Sequence, residues 1–279
     1  MTDLKSRPRL ESTYFGGEGS EYARMARVLA YTARKHCPDW IVNVRATVPE
    51  PVHGTERSAY FIANTQKLDL WCRTVDEAAE GDRMVLMDAD TYFENGIDDV
   101  WDREFDIAYT VRPEYIIPIN TGAVFVRVTP GTRAFMQRWR EETAAMYADV
   151  PHHLKWKEKY GGITQASLGC LLERGGHGLN LHTLPCTEWN CEDSAWGRYD
   201  PAVTRIVHIK SGLRRLIFNG DVGHAQHPWW TNEDLAPLAA RWLAVEREAE
   251  QAEAAAAPPA SDQTPAAPAG AAPFQEVFA

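Results

Sequence analysis

One stretch, Met84-Val85-Leu86-Met87-Asp88-Ala89-Asp90-Thr91-Tyr92-Phe93, constrains this chain more than any other, because an apolar run stops abruptly at two carboxylates separated by one small residue. Four apolar residues in a row after Gly81-Asp82-Arg83 suit a strand of a parallel sheet covered on both faces. So short a run also fits buried helix, and periodicity does not separate the two. In open α/β sheets, ligands collect at the carboxyl ends of the strands. Asp88 and Asp90 would share a side there, as residues i and i+2 of an extended chain do. Two hard oxygen donors suit Mg2+ or Mn2+ shared with a phosphate. The same pair fits a turn whose aspartates bond their own backbone.

The flanking sequence supports a strand at this position. Ser12 to Phe15 reads as a strand end entering the turn Gly16-Gly17-Glu18-Gly19, and Ser20 can cap a helix that carries Tyr22, Ala26, Leu29 and Ala33 on one apolar face. The glycines could cradle a nucleotide at that helix start or form a plain tight turn. Trp40 to Val44 reads as a second strand, and a second helix is expected from Asn64 or Thr65, with Leu68, Trp71, Cys72, Val75 and Ala79 inward. Lys67 then falls in that helix's first turn, where a cation is unfavourable unless an anion or acid lies nearby. This is the βαβ rhythm of a parallel sheet.

Phe105 to Val111 and Ile119 to Val128 read as further strands, the second introduced by the polar triplet Asn120-Thr121-Gly122. Thr129-Pro130 opens a helix in the preferred order. His152 to Tyr160 interleaves lysines and aromatics, as an acceptor lid or a solvated, snorkelling face would, and the solvated face is the reading taken. Gly161-Gly162 breaks the chain before a helix with Leu168, Leu171 and Leu172. Leu184 to Asn190 follows, and then a strand, Ile206-Val207, ending at His208 with Lys210 two residues on. A strand-end imidazole could complete an oxygen-rich metal site, and Lys210 could neutralise a phosphate held there.

A length of 279 residues with 44% hydrophobic side chains allows one main core. The balance of 29 basic against 39 acidic residues, net −10, argues against general nucleic-acid binding. Five scattered cysteines without a Cys-x-x-Cys pair indicate neither a disulfide framework nor structural zinc, and His182, Cys186 and Cys191 are read as structural. The polar start, Met1 to Thr13, and the lack of a membrane-length apolar run lead to an expected cytoplasmic location. The folded domain is expected over 1–254, with an Ala/Pro-rich disordered tail over 255–279.

Taken in order, the strand with Asp-x-Asp, Asn-Thr-Gly before a strand, Gly-Gly-x-x-Gln, Leu-Pro then Trp-Asn, and His-x-Lys-x-Gly resemble the GT-A glycosyltransferases, in look closest to the retaining glycogenin-like and bacterial galactosyltransferase-like members. The likeness spans roughly Tyr14 to Gly212. It implies an α/β fold, a mixed, mostly parallel Rossmann-like sheet flanked by helices. It implies Mn2+ (or Mg2+) on Asp88, Asp90 and His208, holding the diphosphate of a nucleotide sugar, with UDP as the expected nucleotide. Lys67, Tyr14, Gly16, Gly17, Asn120, Gly122 and Gly212 then belong to the donor side, Trp189 and Asn190 to the acceptor side, and Gln165, Lys210 and Asp90 to the chemistry. The acceptor could be a sugar, lipid, protein or modified base.

Two departures stand out. Thr164-Gln165 replaces the family's usual Asp-Gln, which leaves the sugar unassigned, and the Lys-Pro-Trp that usually follows His-x-x-Gly is missing, Trp229 and Trp230 coming later. Because an amide is a poor nucleophile, Gln165 on the sugar face favours front-face attack within an ion pair, with inversion as the other outcome. Two other classes use the same residues, namely a metal-dependent phosphohydrolase or nucleotidyltransferase, and a catalytically silent nucleotide-binding module.

Overall fold

The computed structural model describes residues 7–48, 58–112, 118–223 and 229–256. The start of the chain and most of the Ala/Pro-rich tail lie outside them, while the last helix continues to Ala256. The chain opens with β1 (Arg9–Phe15), α1 (Glu21–His36) and β2 (Ile41–Thr47), followed by α2 (Ala59–Glu77) and β3 (Arg83–Asp88). Serine at position 20 caps α1 as expected, its hydroxyl accepting from Ala23 N at 3.2 Å. Helix α2 starts several residues earlier than the apolar spacing suggests, so Lys67 sits two turns inside it. The unfavourable first-turn cation expected from the sequence is therefore absent.

After β3 come a short strand β4 (Thr91–Phe93), β5 (Ile107–Val111) and β6 (Ile119–Arg127). Helices α3 (Pro130–Ala148), α4 (Val150–Tyr160) and α5 (Ile163–Arg174) then pack in succession. The chain closes with β7 (Leu181–Pro185), α6 (Cys186–Trp189), β8 (Ile206–His208), α7 (Ser211–Asn219) and α8 (Asn232–Ala256). Thr129 forms a capping box with Thr132 ahead of α3, as Thr-Pro foretells. On α4, Lys155, Lys157 and Lys159 are exposed, in keeping with the solvated-face reading.

Six strands form one sheet in the order β2-β1-β3-β6-β5-β7, with β6 antiparallel to both neighbours and the other pairs parallel. Period-two alternation explains why the central strand is apolar throughout. Met84 and Leu86 join a core with Trp71, Phe135 and Trp139 on one face, while Val85 and Met87 join Leu29, Trp40 and Trp101 on the other. From Met84 to Met87 both faces of β3 are therefore apolar, and the first polar side chain after them is Asp88 at the strand end.

The second sheet is only β4 with β8, antiparallel, with Thr91 opposite His208. This pairing is hidden from sequence patterning, because each strand has three residues and their partners lie more than a hundred positions apart. It brings the late histidine to the end of β3. A third apolar cluster beneath it, including Met25, Tyr92, Val207, Leu213 and Trp242, joins α1, α7 and α8 to this small sheet. Helix α8 is further fastened to α1 by charge, through Arg24 with Glu246 and Lys35 with Glu248. That is why its Glu-Ala sequence, poor in apolar residues, still docks.

Candidate active site

Asp88 ends β3, and Asp90 lies two residues on, just before β4. His208 Nε2 is 3.1 Å from Asp90 Oδ1 and 3.9 Å from Asp88 Oδ2. One donor atom from each of the three residues lies within 4.8 Å of the others. Ile209 N donates to Asp90 O at 2.8 Å, so backbone as well as side chain holds the β8 end against the acids.

The imidazole is aimed by a chain of hydrogen bonds. Gly122 N donates to Asn120 Oδ1 at 2.7 Å, which identifies that atom as the oxygen. Asn190 Nδ2 donates to the same oxygen at 2.9 Å and to Thr110 Oγ1 at 3.0 Å, leaving Asn190 Oδ1 to accept from His208 Nδ1 at 3.1 Å. With Asn190 engaging Nδ1, the ring turns Nε2 toward the two carboxylates, and that is the nitrogen it would offer to a metal. Gly122 is required by the same arrangement. A Cβ there would stand 2.6 Å from His208 Nδ1 and 2.9 Å from Asn190 Nδ2. Two carboxylates and an oriented imidazole therefore fit a divalent cation such as Mn2+ or Mg2+.

Cations stand close to both acids. Lys67, nearly buried on α2 with Nζ 4.7 Å from the Trp71 ring centroid, pairs with Asp88 Oδ1. Arg214 Nη1, on α7, is 3.8 Å from Asp90 Oδ2 and donates to Tyr22 Oη at 2.8 Å. Burial by itself would raise the Asp90 carboxyl, but the His208 ring, Arg214 and Lys67 outweigh it and hold the group far below the usual carboxylate range.

A cavity of about 780 Å3 opens over these residues. Of the residues assigned from sequence, Tyr14, Lys67, Asp88, Asp90, Asn120, Gln165, His208 and Lys210 line it. Gln165 Nε2 donates to Tyr160 O at 2.8 Å, which fixes the amide's orientation. Beside it, Thr164 is buried, its hydroxyl 3.3 Å from that of Thr121.

Other assignments move. Trp189 is fully buried, edge-on to Phe125 at 5.9 Å with Arg205 and Arg103 over its ring, so it is a core residue and not an acceptor platform. Asn190 is equally buried, and its work is to orient His208. Gly122 backs the histidine in place of lining a sugar. Gly16, with φ +149° and no room for a Cβ beside Ser20 Oγ, shapes the turn that lets Ser20 cap α1. Neither it nor Gly17 is among the residues lining the cavity, and Gly212 is buried in the first turn of α7. Lys210 lines the wall, but its ammonium is bound to Glu192 and Asp193 at 2.9 and 3.0 Å.

Several residues at the site are not flagged by sequence pattern. Tyr22, Ser211, Arg214 and Arg215 line the cavity, and Arg112 with Glu192 forms an ion pair of 3.0 Å behind it. The adjacent arginines four and five residues after Lys210 were the available signal, since they fall within one helix started by the strand end. Ser211 has φ +49°, the only non-glycine in that region among the described residues, and it turns the chain from β8 into α7. A backbone conformation of this cost is tolerated where the surroundings fix it, here between the histidine and the arginines.

No protein-family model and no curated protein matches the chain. Among solved structures, it is similar to the crystal structure of a glycosyltransferase involved in the glycosylation of the major capsid of PBCV-1. That likeness has a TM-score of 0.53 at 14% identity and covers 75% of this chain and 95% of the other. It is also similar to the galactosyltransferase LgtC solved with donor and acceptor sugar analogues, with a TM-score of 0.48 at 12% identity, covering 86% and 95%. The first likeness, with the sheet order above, gives the fold as that of the GT-A glycosyltransferases.

Proposed function

We propose that the chain transfers a hexosyl group from a nucleoside diphosphate sugar, with UDP as the expected nucleotide, to an acceptor hydroxyl, and that Asp88, Asp90 and His208 hold a divalent cation for the reaction. The observation that carries this reading is the oriented His208 facing two strand-end carboxylates across the floor of a large cavity in this fold. Solvated turn aspartates have no need of an imidazole aimed through three amides.

Departure of the diphosphate from an anomeric carbon develops negative charge on the leaving oxygens, and a cation at the triad would supply most of its neutralisation. The protein's own part is positional. Lys67 and Arg214, each next to one carboxylate, can turn to phosphate oxygens once the acids are engaged elsewhere. Tyr14 and Phe15, at the end of β1, offer aromatic surface for the base. Gln165, locked by its bond to Tyr160 O, presents an amide and no nucleophilic carboxylate on the sugar side, which supports front-face attack and retention.

The test is a panel of nucleotide sugars incubated in Mn2+, with the nucleotide product identified. Transfer or slow hydrolysis by this chemistry breaks the bond to the anomeric carbon and leaves nucleoside diphosphate. Nucleoside monophosphate as product would establish the phosphohydrolase or nucleotidyltransferase reading instead. Binding without turnover on any donor would leave a silent nucleotide-binding module.

A further inference from the structure

Lys210 lies two residues beyond His208, and a phosphate role for it would follow from that position alone. Its surroundings argue otherwise. Its Nζ donates to Glu192 Oε2 at 2.9 Å and to Asp193 Oδ1 at 3.0 Å, and Glu192 Oε2 is also 3.0 Å from Arg112 Nη2. Glu192 is completely buried, and Ser194 donates to its other oxygen. Two cations and two carboxylates cancel formally, so the ammonium presents little net attraction to an incoming diphosphate. Burial pushes the Lys210 ammonium down, but Glu192 and Asp193 outweigh it and raise the group above its ordinary value.

An ammonium carries three N–H groups. Among the described residues, two are taken by carboxylates, and Lys210 is part of the cavity wall. The remaining donor suits a neutral oxygen. Asn120 belongs to the same cluster, its Nδ2 3.5 Å from Glu192 Oε2, and it also lines the cavity. Through Asn190, Asn120 is tied to His208, so this wall adjoins the atoms that would hold the diphosphate. A bound diphosphate has the nucleoside on one side, for which Tyr14 and Phe15 stand at the end of β1, and on the other the sugar it carries.

We infer that Lys210 is a specificity residue that donates a hydrogen bond to a hydroxyl of the donor's sugar, with Glu192 and Asp193 as the positioning residues that hold its ammonium. This rests on the glycosyl-transfer reading of the same cavity. It also gives the chain a fixed polar contact on a wall where Thr164, turned to Thr121, offers no carboxylate.

The experiment compares calorimetric affinities in Mn2+ for UDP and for UDP-glucose, UDP-galactose and UDP-N-acetylglucosamine. Lys210→Met keeps the stem and removes the donor, and it is made together with Asp193→Asn so that the cluster keeps its formal neutrality. UDP affinity is expected to stay within about twofold of wild type, while the best UDP-sugar loses about tenfold, the size of one charge-assisted hydrogen bond. Asp193→Asn alone leaves Lys210 and Glu192 in place and guards against a misfolded first variant. It is expected to shrink the ratio of UDP-sugar to UDP affinity severalfold, a ratio that general loosening of the fold would not move selectively. A tenfold loss for UDP itself in the double variant would overturn the inference and return Lys210 to the phosphates. An unchanged ratio in both variants would overturn it as well. Absence of any nucleotide binding by wild type removes both readings.

Discussion

Two ionic clusters face each other across His208, and they use the same kinds of side chain to opposite ends. Asp88 and Asp90 keep carboxylate oxygens at the wall of an open cavity, each with one cation alongside, Lys67 and Arg214. Glu192 is sealed in, its charge consumed by Arg112 and Lys210. In the first cluster, the cations are partners that a ligand can borrow. In the second, they cannot leave without stranding a buried carboxylate, which costs far more than the loss of a surface pair. The contrast teaches that an Asp or Glu beside a Lys reports function only when its charge is available, and availability is set by burial and by how many counter-charges close around it.

The largest effect should come from breaking the sealed cluster. Glu192→Gln leaves Arg112 and Lys210 facing each other with one carboxylate fewer between them, and about 3–5 kcal/mol of stability should go. For a domain of this size, that is a drop of about 10 °C in melting temperature. A thermal scan checks it, and a shift of only a degree or two would mean that the cluster is more hydrated than its burial indicates.

Asp90→Asn tests the open cluster and should fail in the opposite manner. The fold should hold, with a loss of melting temperature well below that of Glu192→Gln, because the side chain sits at a cavity wall and not in a core. Affinity for UDP in Mn2+ should fall by about a hundredfold. Equal losses of stability in Asp90→Asn and Glu192→Gln would erase the distinction between the two clusters.

Between these extremes lies Gly122, which neither touches a ligand nor carries a charge. Gly122→Ala puts a methyl group where His208 Nδ1 and Asn190 Nδ2 now stand. Loss of such an orienting contact is expected to weaken Mn2+ binding by about 10-fold to 100-fold with little change in fold, read out by metal titration in the absence of nucleotide. Normal Mn2+ affinity in this variant would show that the histidine is not held by the strand behind it.

The open cluster was legible in the sequence, and the sealed one was not. Apolar strand, then Asp-x-Asp, is a local pattern, and Ile206-Val207-His208 is another, so each half of the triad could be found on its own strand. Asn120, Gly122 and Asn190 were also singled out, but not the hydrogen bonds that link them to one another and to His208, since sequence shows that a polar residue lies near a site and not which way its amide is turned. Trp189 was misplaced for a related reason. An aromatic beside a polar residue looks like a binding platform, and only packing against Phe125 and two arginines shows it to be core. Arg112, Glu192 and Lys210 come from three separate segments, two of them without periodic signal. Their proximity depends on the β5–β6 pairing and on the loop after α6, which no local spacing encodes.

The smallest predicted effect concerns the edge of the sealed cluster, where Asp193 is partly exposed. Burial, followed by its contact with Glu192, pushes the Asp193 carboxyl up from the ordinary 3.8 to about 6, although Lys210 pulls the other way. Glu192, despite the upward push of burial, is held well below the usual carboxylate range by its contact with Asp193 and by Lys210 and Arg112, so the two neighbours titrate apart. The folded protein therefore holds the Asp193 proton more tightly than the unfolded chain does. That stabilisation is fully present below pH 3.8 and is lost as the pH rises through about 6. Asp193→Asn has no such group to titrate. Relative to this variant, wild type should lose about 5 °C of melting temperature between pH 4 and pH 7, with the steepest change about midway between the unfolded and folded values, near pH 5. The comparison is made by scanning both proteins in the same buffers, which cancels the carboxylates they share. A difference that stays flat, or that moves in favour of wild type as the pH rises, would mean that Lys210 controls Asp193 more strongly than burial and Glu192 do. The ammonium would then be bound by two full negative charges at every working pH.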